Sequence, residues 1–537
     1  MNHVQVFHLG TDCTLAISCV LSFTVGESLF TAEALKVASQ AVISSHPIVG
    51  SRVANCSRGT HLQPAAIHQW DGKTLQLPEG GCLAQWCDHV AWSEACRGVD
   101  SQEALARFVV SPPVPSKNMA ADSHSRVGLV LLVHHIATDA RGLVQLLREL
   151  LLAASSNSAK QVGLQQLHHD PPATAAAADA AHPLEDWMPR FTSALKSQPV
   201  AAAPTQLTPP SFPKLLPPCL PASQLSQTAE AANAAEAASG STDSLSPPPV
   251  CPVAASCLGT PPPWSRAVAE ACQAGAQVPT PLTAPWGVDV GVSSDSLPVG
   301  FHQPLKPAQT QFTSRLRLGR EHSEAVLGAA KAAGVGVWAW LQAASLLVEA
   351  SMAASVSQAG SPVVWPVRAR TFVDARGLVD PPLSPTFVGP ITGVASLETM
   401  TLTPSSSVLD VAAELQHGLA HTVESLDVLR TVQTLLFGGS ASLSVNNYGA
   451  LTQLHLPDRC GVVVSDVWVV RQERTAPAAH EQFNIVAFSL HGQLHLSVSF
   501  MPAVWHERCV GTFLHCVAEL AVAAAIGVPL LKHNGSA

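Results

Sequence analysis

The strongest pattern in the chain is the unbroken apolar run Val127-Gly128-Leu129-Val130-Leu131-Leu132-Val133, which predicts a strand buried on both faces. Directly after it, Leu143, Leu146, Leu147, Leu150 and Leu151 recur at i, i+3, i+4, i+7 and i+8, the stripe of a helix with one buried face. Upstream, Cys13 to Val25 is rich in strand formers. Thr31 is a suitable N-cap for a helix running to Ser44, with Glu33 in its first turn and His46-Pro47 closing it. A second set of elements starts near Phe312, where Phe312-Thr313-Ser314-Arg315-Leu316-Arg317-Leu318 alternates like a strand. Helices are predicted from Glu321 to Ala333 and, beyond Gly334-Val335-Gly336, from Trp338 to Met352. Strands follow at Val363 to Val367 and Ser442 to Val445, then a hairpin of Phe483 to Leu490 and Leu494 to Phe500 around His491-Gly492. Trp505, Cys509, Phe513, Cys516 and Leu520 stripe a final helix. These elements make an α/β chain of two lobes, each with its own core.

The region between the two sets has a different composition. Residues 155–310 hold 25 of the 42 prolines, amid Ala/Ser/Thr/Gln tracts that offer no periodic apolar face. Proline clusters remove amide donors and block helix, so this stretch is expected to be a largely disordered insertion. A short amphipathic piece is expected at Leu184 to Leu195. The chain divides accordingly into an N-terminal lobe (1–154), a linker (155–310) and a C-terminal lobe (311–537).

Charge and cysteine content narrow the function. Charged residues are only 12% of the chain, the formal net charge is −9, and no block of Lys and Arg occurs. A nucleic-acid binder relying on phosphate contacts is therefore excluded. The nearly uncharged apolar run Leu520 to Leu531 is too short to span a bilayer, and the N-terminus has no signal-peptide pattern. The 13 cysteines form no Cys-x-x-Cys pair, which argues against zinc and for reduced thiols in a cytoplasmic protein.

The buried strand ends in His134-His135-Ile136-Ala137-Thr138-Asp139-Ala140. Neighbouring residues of a strand point to opposite faces, so only one of His134 and His135 can face a reaction cavity while the other packs into its lobe. Opposed imidazoles make a poor metal pair, and no metal site is expected. A lone neutral imidazole takes a proton from a hydroxyl, amine or thiol near neutral pH, with an ionisation expected in the ordinary imidazole range. Asp139 stands at the turn into the next helix, where its carboxylate can hold the loop. No Cys or Ser sits beside the motif as an activated nucleophile. His168-His169-Asp170 has the wrong spacing, Asp71-Gly72-Lys73-Thr74 lacks the leading glycine of a phosphate loop, and no Gly-x-Ser-x-Gly elbow exists.

His134-His135-x-x-x-Asp139-Ala140 resembles the HHxxxD[GA] signature of the chloramphenicol-acetyltransferase-like superfamily. That superfamily includes condensation domains, alcohol acetyltransferases and phthiocerol dimycocerosyl transferases. The resemblance extends to Ser45-His46-Pro47-Ile48-Val49, to Ala332-Ala333-Gly334-Val335-Gly336-Val337, to Pro366-Val367-Arg368-Ala369-Arg370, to Phe387-Val388-Gly389 and to Ser444-Val445-Asn446-Asn447-Tyr448-Gly449. It implies two lobes, each a mixed sheet flanked by helices, with a channel between them. It further implies His135 as general base, and Asp139 as a structural residue paired with an arginine, for which Arg370 is the matching candidate. Asn447, Tyr448 and Gly449 line the channel as substrate-binding residues, with Asn447 as oxyanion donor, or else form only a turn after a strand. The implied reaction moves an acyl group from acyl-CoA, a co-substrate rather than a bound cofactor, to a small alcohol or amine. A monomer is expected. A condensation-type enzyme with a carrier-bound donor and a non-catalytic binding protein are the alternatives. Ala140 replaces the commoner glycine, and the Asp-Phe-Gly-Trp-Gly motif of plant acyltransferases is absent. No carrier or adenylation module accompanies the chain, so a free-standing enzyme is expected.

Overall fold

The structure, a computed structural model, describes residues 13–24, 30–56, 59–64, 70–78, 82–115, 124–158, 312–356, 365–402, 406–429, 443–473, 483–500 and 507–527. The linker expected at 155–310, with its amphipathic piece at Leu184 to Leu195, lies outside the described residues beyond position 158, as does Trp505.

The apolar run becomes the middle of a mixed sheet. In chain order the first block supplies β1 (Cys13–Thr24), α1 (Ala32–Ser45), β2 (Ser51–Cys56), β3 (Gly59–Pro64), β4 (Asp71–Thr74), α2 (Leu83–Arg97), β5 (Ala106–Val110), β6 (Val114–Pro115), β7 (His124–His134) and α3 (Ala140–Ser158). Along β7 the side chains alternate between two cores. Leu129, Leu131 and Val133 join the leucines of α3, while Val130 and Leu132 face Trp86, Cys87 and Val90 of α2. All five are fully buried, so the strand has no solvent face. Thr31 caps α1 by accepting from the Ala34 N–H at 3.1 Å. His46, at the exit of α1, bonds through Nε2 to Glu149 of α3 at 2.8 Å, tying the two helices together.

The second block supplies β8 (Phe312–Arg317), α4 (Arg320–Ala332), α5 (Val337–Val356), β9 (Trp365–Asp374), β10 (Thr392–Leu402), α6 (Val408–Glu424), β11 (Leu443–Ala450), β12 (Val462–Glu473), β13 (Phe483–Leu490), β14 (Gln493–Phe500) and α7 (Glu507–Gly527). Its six-stranded sheet has the order β10-β9-β11-β13-β14-β8. Val445, Ile485, Ala487, Leu496 and Val498 pack beneath α5 and α7. On the other face Val486, Phe488 and Leu490 belong to the same apolar cluster as β7 and α3 of the first block.

Three features depart from the sequence reading. The lobes are not contiguous in sequence, because β12 pairs antiparallel with β1 and completes the first sheet in the order β12-β1-β7-β5-β4. A valine-rich strand far from its partner in sequence gives no local sign of which sheet it joins. The first block also ends later than 154, since α3 continues to Ser158. Third, Asn446, Asn447, Tyr448 and Gly449 lie within β11, because parallel pairing with β13 extends to Ala450 and draws turn-forming residues into the sheet.

Among the described residues no single helix is long and apolar enough to cross a membrane, and no group of three or more His, Cys, Asp and Glu could hold a metal ion.

Candidate active site

The motif sits where β7 leaves the sheet. The His134 N–H donates to the Leu105 carbonyl and the His135 N–H to the Cys13 carbonyl, each at 2.8 Å, so both neighbouring strands hold the turn. His134 is fully buried, and its Nδ1 accepts from the Ile136 N–H at 3.2 Å. His135 keeps partial exposure. Its Nδ1 lies 2.8 Å from the Thr138 carbonyl oxygen. A carbonyl only accepts, so Nδ1 carries the proton and Nε2 carries the lone pair. Burial, reinforced by the Arg471 guanidinium on β12, pushes the imidazole down to about 3, below its ordinary range, and keeps it neutral. Register explains the role of Arg471: it pairs with Leu15, and Leu15 pairs with Val133, so these residues share one face of the sheet with His135. From there the guanidinium carbon stands 5.9 Å from the ring of Phe372 on β9, across the seam between the sheets.

Asp139 begins α3. Its Oδ1 accepts from the Gly142 N–H at 2.8 Å and its main-chain carbonyl from the Leu143 N–H at 2.9 Å, the contacts of an N-cap. A Cβ on Gly142 would stand 2.3 Å from the Thr138 hydroxyl, so glycine is what allows this tight start. The carboxylate then crosses to the second block. Arg376 grips it in bidentate fashion, Nη1 to Oδ2 at 2.8 Å and Nη2 to Oδ1 at 2.9 Å, and the Ile391 N–H adds a bond at 3.2 Å. Nε of Arg376 donates to the Phe387 carbonyl at 2.9 Å, and the remaining N–H groups reach Asp374 at 2.8 Å and the Gly389 carbonyl at 3.3 Å. All five guanidinium hydrogens are engaged on a residue that is 2% exposed. Burial opposes its charge, but the Asp139 and Asp374 carboxylates outweigh it and raise the arginine further above its ordinary range.

This corrects the expected Asp139–Arg370 pair. Arg370 lies inside β9, in register with Ser396 and Ser444, whereas the Asp139 loop meets the second block just past the end of that strand. Arg376 stands there, two residues beyond Asp374. Arg141, in the first turn of α3, also pairs with Asp374 and strengthens the same junction.

Tyr448 packs against the apolar cluster of the first block, and burial raises its hydroxyl well above the phenolic range, with Arg471, Asp139 and Cys13 close enough to act on it. The structure thus gathers His135, Asp139 and Tyr448, together with Arg376 and Arg471, at one seam. Asn447 turns its Oδ1 back to the Gly449 N–H at 2.9 Å, and Gly449 has a φ of +73°, a conformation suited to glycine. Among the described residues no hydrogen bond joins Asn447 to His135. Sequence reasoning missed Arg376 and Arg471. A charged Asp374-x-Arg376 pair just past a strand was a usable signal for the first. Nothing local marked the second.

Residues 307–499 match the family described as the C-terminus of phthiocerol/phthiodiolone dimycocerosyl transferase. Among solved structures, polyketide synthase associated protein 5 from Mycobacterium tuberculosis superposes with a TM-score of 0.53 at 14% identity, over 98% of this chain and 97% of that one. A trichothecene 15-O-acetyltransferase from Fusarium sporotrichioides gives 0.57 at 12% identity, over 97% and 94% of the two chains. The first condensation domain of the calcium-dependent antibiotic synthetase gives 0.55 at 11% identity, over 99% and 95%. No curated protein is a significant match by sequence.

Proposed function

We propose that this chain, which has the two-lobed fold of the chloramphenicol-acetyltransferase-like superfamily, is an acyltransferase working at the seam built around His135. The observation that carries the reading is the Nδ1–H bond from His135 to the Thr138 carbonyl, which leaves Nε2 as the basic nitrogen. In the proposed step Nε2 takes the proton of an acceptor hydroxyl or amine as the acceptor attacks the thioester carbonyl of the donor. The tetrahedral adduct then expels sulfur: the carbon–sulfur bond breaks, and the imidazolium returns its proton to the departing thiolate. Holding the imidazole below its ordinary range weakens it as a base for the acceptor's proton and speeds the return of that proton to the thiolate. Asn447, whose carbonyl is taken by Gly449, keeps its amide hydrogens for the oxyanion. Asp139 acts by fixing the loop, because its carboxylate is occupied by Arg376, Gly142 and Ile391. Acyl-CoA is the proposed donor, and a condensation-type reaction with a carrier-bound pantetheinyl thioester differs only in what carries the sulfur.

Thiol release from acetyl-CoA and from an acetyl-pantetheinyl carrier, each with a panel of alcohols and amines, tests the reading and separates the two donors. His135→Ala is expected to lower turnover by roughly 10²–10⁴-fold with the fold intact. Near-normal turnover in that variant would contradict the assignment, and absence of transfer in the wild type would favour the binding-protein alternative.

A further inference from the structure

Four adjacent strands of the second sheet place a polar residue at the same level. Arg370 of β9 is in register with Ser444 of β11, Ser444 with Asn484 of β13, and Asn484 with Ser499 of β14. They are 5%, 0%, 5% and 6% exposed. Two residues along, Asn446, Val486 and Ser497 make the next row, and Phe488 with His495 the one after. This face is the one turned to the first block, since Val486 and Phe488 on it share that block's apolar cluster, while Val445, Ile485 and Val498 on the reverse pack under the helices.

A seam whose only task was to hold two lobes together would be apolar, because burying a hydroxyl or amide without a partner is costly. Part of the need is met within the face. Asn446 Nδ2 donates to Asn484 Oδ1 at 3.0 Å, and the Ser444 hydroxyl donates to the same oxygen at 3.4 Å. The rest is unmet. Among the described residues, Asn446 Oδ1 is buried and accepts nothing, and His495, 1% exposed and stacked 4.9 Å from Phe488, bonds through neither ring nitrogen. Trp468 of β12, edge-on to His495 at 5.3 Å, has an Nε1–H without an acceptor. Buried polar groups are almost always satisfied in folded proteins, so Asn446 and His495 on this face, with Trp468 facing them from the other sheet, mark a place where another molecule supplies the partners. The face also leads from the candidate site: Tyr448 lies against the Asp139 loop, and β11 runs from it through Asn446 to Ser444, about 13 Å at the rise of a strand.

We infer that this face receives the acceptor, and that the acceptor carries several hydroxyl or amide groups besides the reacting one rather than a lipid chain. The inference rests on the acyltransferase reading. Serine hydroxyls, carboxamides and a neutral imidazole both give and take hydrogen bonds, which matches a polyhydroxylated molecule and leaves an alkyl chain facing unsatisfied polar groups.

The test uses the full chain with acetyl-CoA and two primary alcohols, the methyl glycoside of N-acetylglucosamine and 1-decanol. The wild type is expected to favour the glycoside by at least about tenfold in kcat/KM, since a polar site rejects an analogue that leaves its groups unpaired. Asn484→Leu should remove most of that preference by raising the KM of the glycoside, leaving the KM of acetyl-CoA unchanged. Ser497→Ala, a smaller change that tests the same face if Asn484→Leu folds poorly, should lower the preference in the same direction. A preference for 1-decanol would overturn the inference. So would an unchanged preference in both variants, or a rise in the KM of acetyl-CoA instead, which would give the face to the donor. Calorimetric binding of the glycoside, lost in the same variants, needs no turnover. Binding without transfer keeps this inference while the acyltransferase reading fails, and neither binding nor transfer overturns it.

Discussion

Strand β7 of the first sheet and strands β11 and β14 of the second are all interior strands, paired on both sides, yet have opposite chemistry. On β7 the residues from Val127 to Val133 bury apolar side chains on both faces, and the first polar group is the motif itself. On β11 and β14 one face is apolar beneath helices, while the face turned to the other lobe carries Ser444, Asn446, His495, Ser497 and Ser499. The first sheet is a platform whose packing fixes one imidazole. The second is a surface whose polar groups are left to be completed. Under the proposed reading, positioning and recognition are separated in this way, the rigid half holding the base and the polar half reading the substrate.

The clamp between the halves should show the largest effect on stability. Removing one partner of a buried charge pair costs on the order of 3–5 kcal/mol, so Asp139→Ala and Arg376→Ala should each lower unfolding free energy by that amount and reduce transfer with it. Urea denaturation of the single and double variants should give a strong coupling between 139 and 376. Coupling between 139 and 370 of equal size would break the assignment. Next, Leu131→Ala in the platform should cost about 2–5 kcal/mol as a cavity, whereas Ser497→Ala on the polar face should cost no more than about 1 kcal/mol. Equal costs would mean that the two faces are both structural. Acid acts on both regions at once. Both His135 and His495 are pushed down to about 3 by burial, so the unfolded chain takes up protons below about pH 6.5 while the folded chain does not. Stability should therefore decline as pH falls from 6.5 toward 4, and kcat/KM should show no inflection near pH 6.5. An activity limb at that pH would show that His135 titrates as an ordinary surface imidazole.

Much of this arrangement was legible in the sequence for identifiable reasons. The β7 run, the leucine stripe of α3 and the two adjacent histidines are local patterns, and local periodicity reports directly which face is buried. What failed was long-range. The choice of Arg376 over Arg370 depends on where the Asp139 loop meets the end of β9. The membership of β12 in the first sheet depends on pairing with β1, more than four hundred positions away. The residues around Tyr448 read equally as turn or channel wall because parallel pairing with β13, not their own propensity, keeps them extended. The ordinary imidazole range expected for the motif was displaced chiefly by burial and further by Arg471, which β12 delivers, and both depend on how distant strands assemble.

The central claim is that the fold holds His135 as a neutral base with the proton on Nδ1. Nitrogen-15 NMR of the histidine side chains, assigned by comparison with His135→Gln, reads this directly. The account predicts the Nδ1–H tautomer at pH 7, persisting without titration down to about pH 5, given the downward shift that burial and Arg471 impose. An Nε2–H tautomer at pH 7, or a protonation midpoint near 6.5, would contradict it.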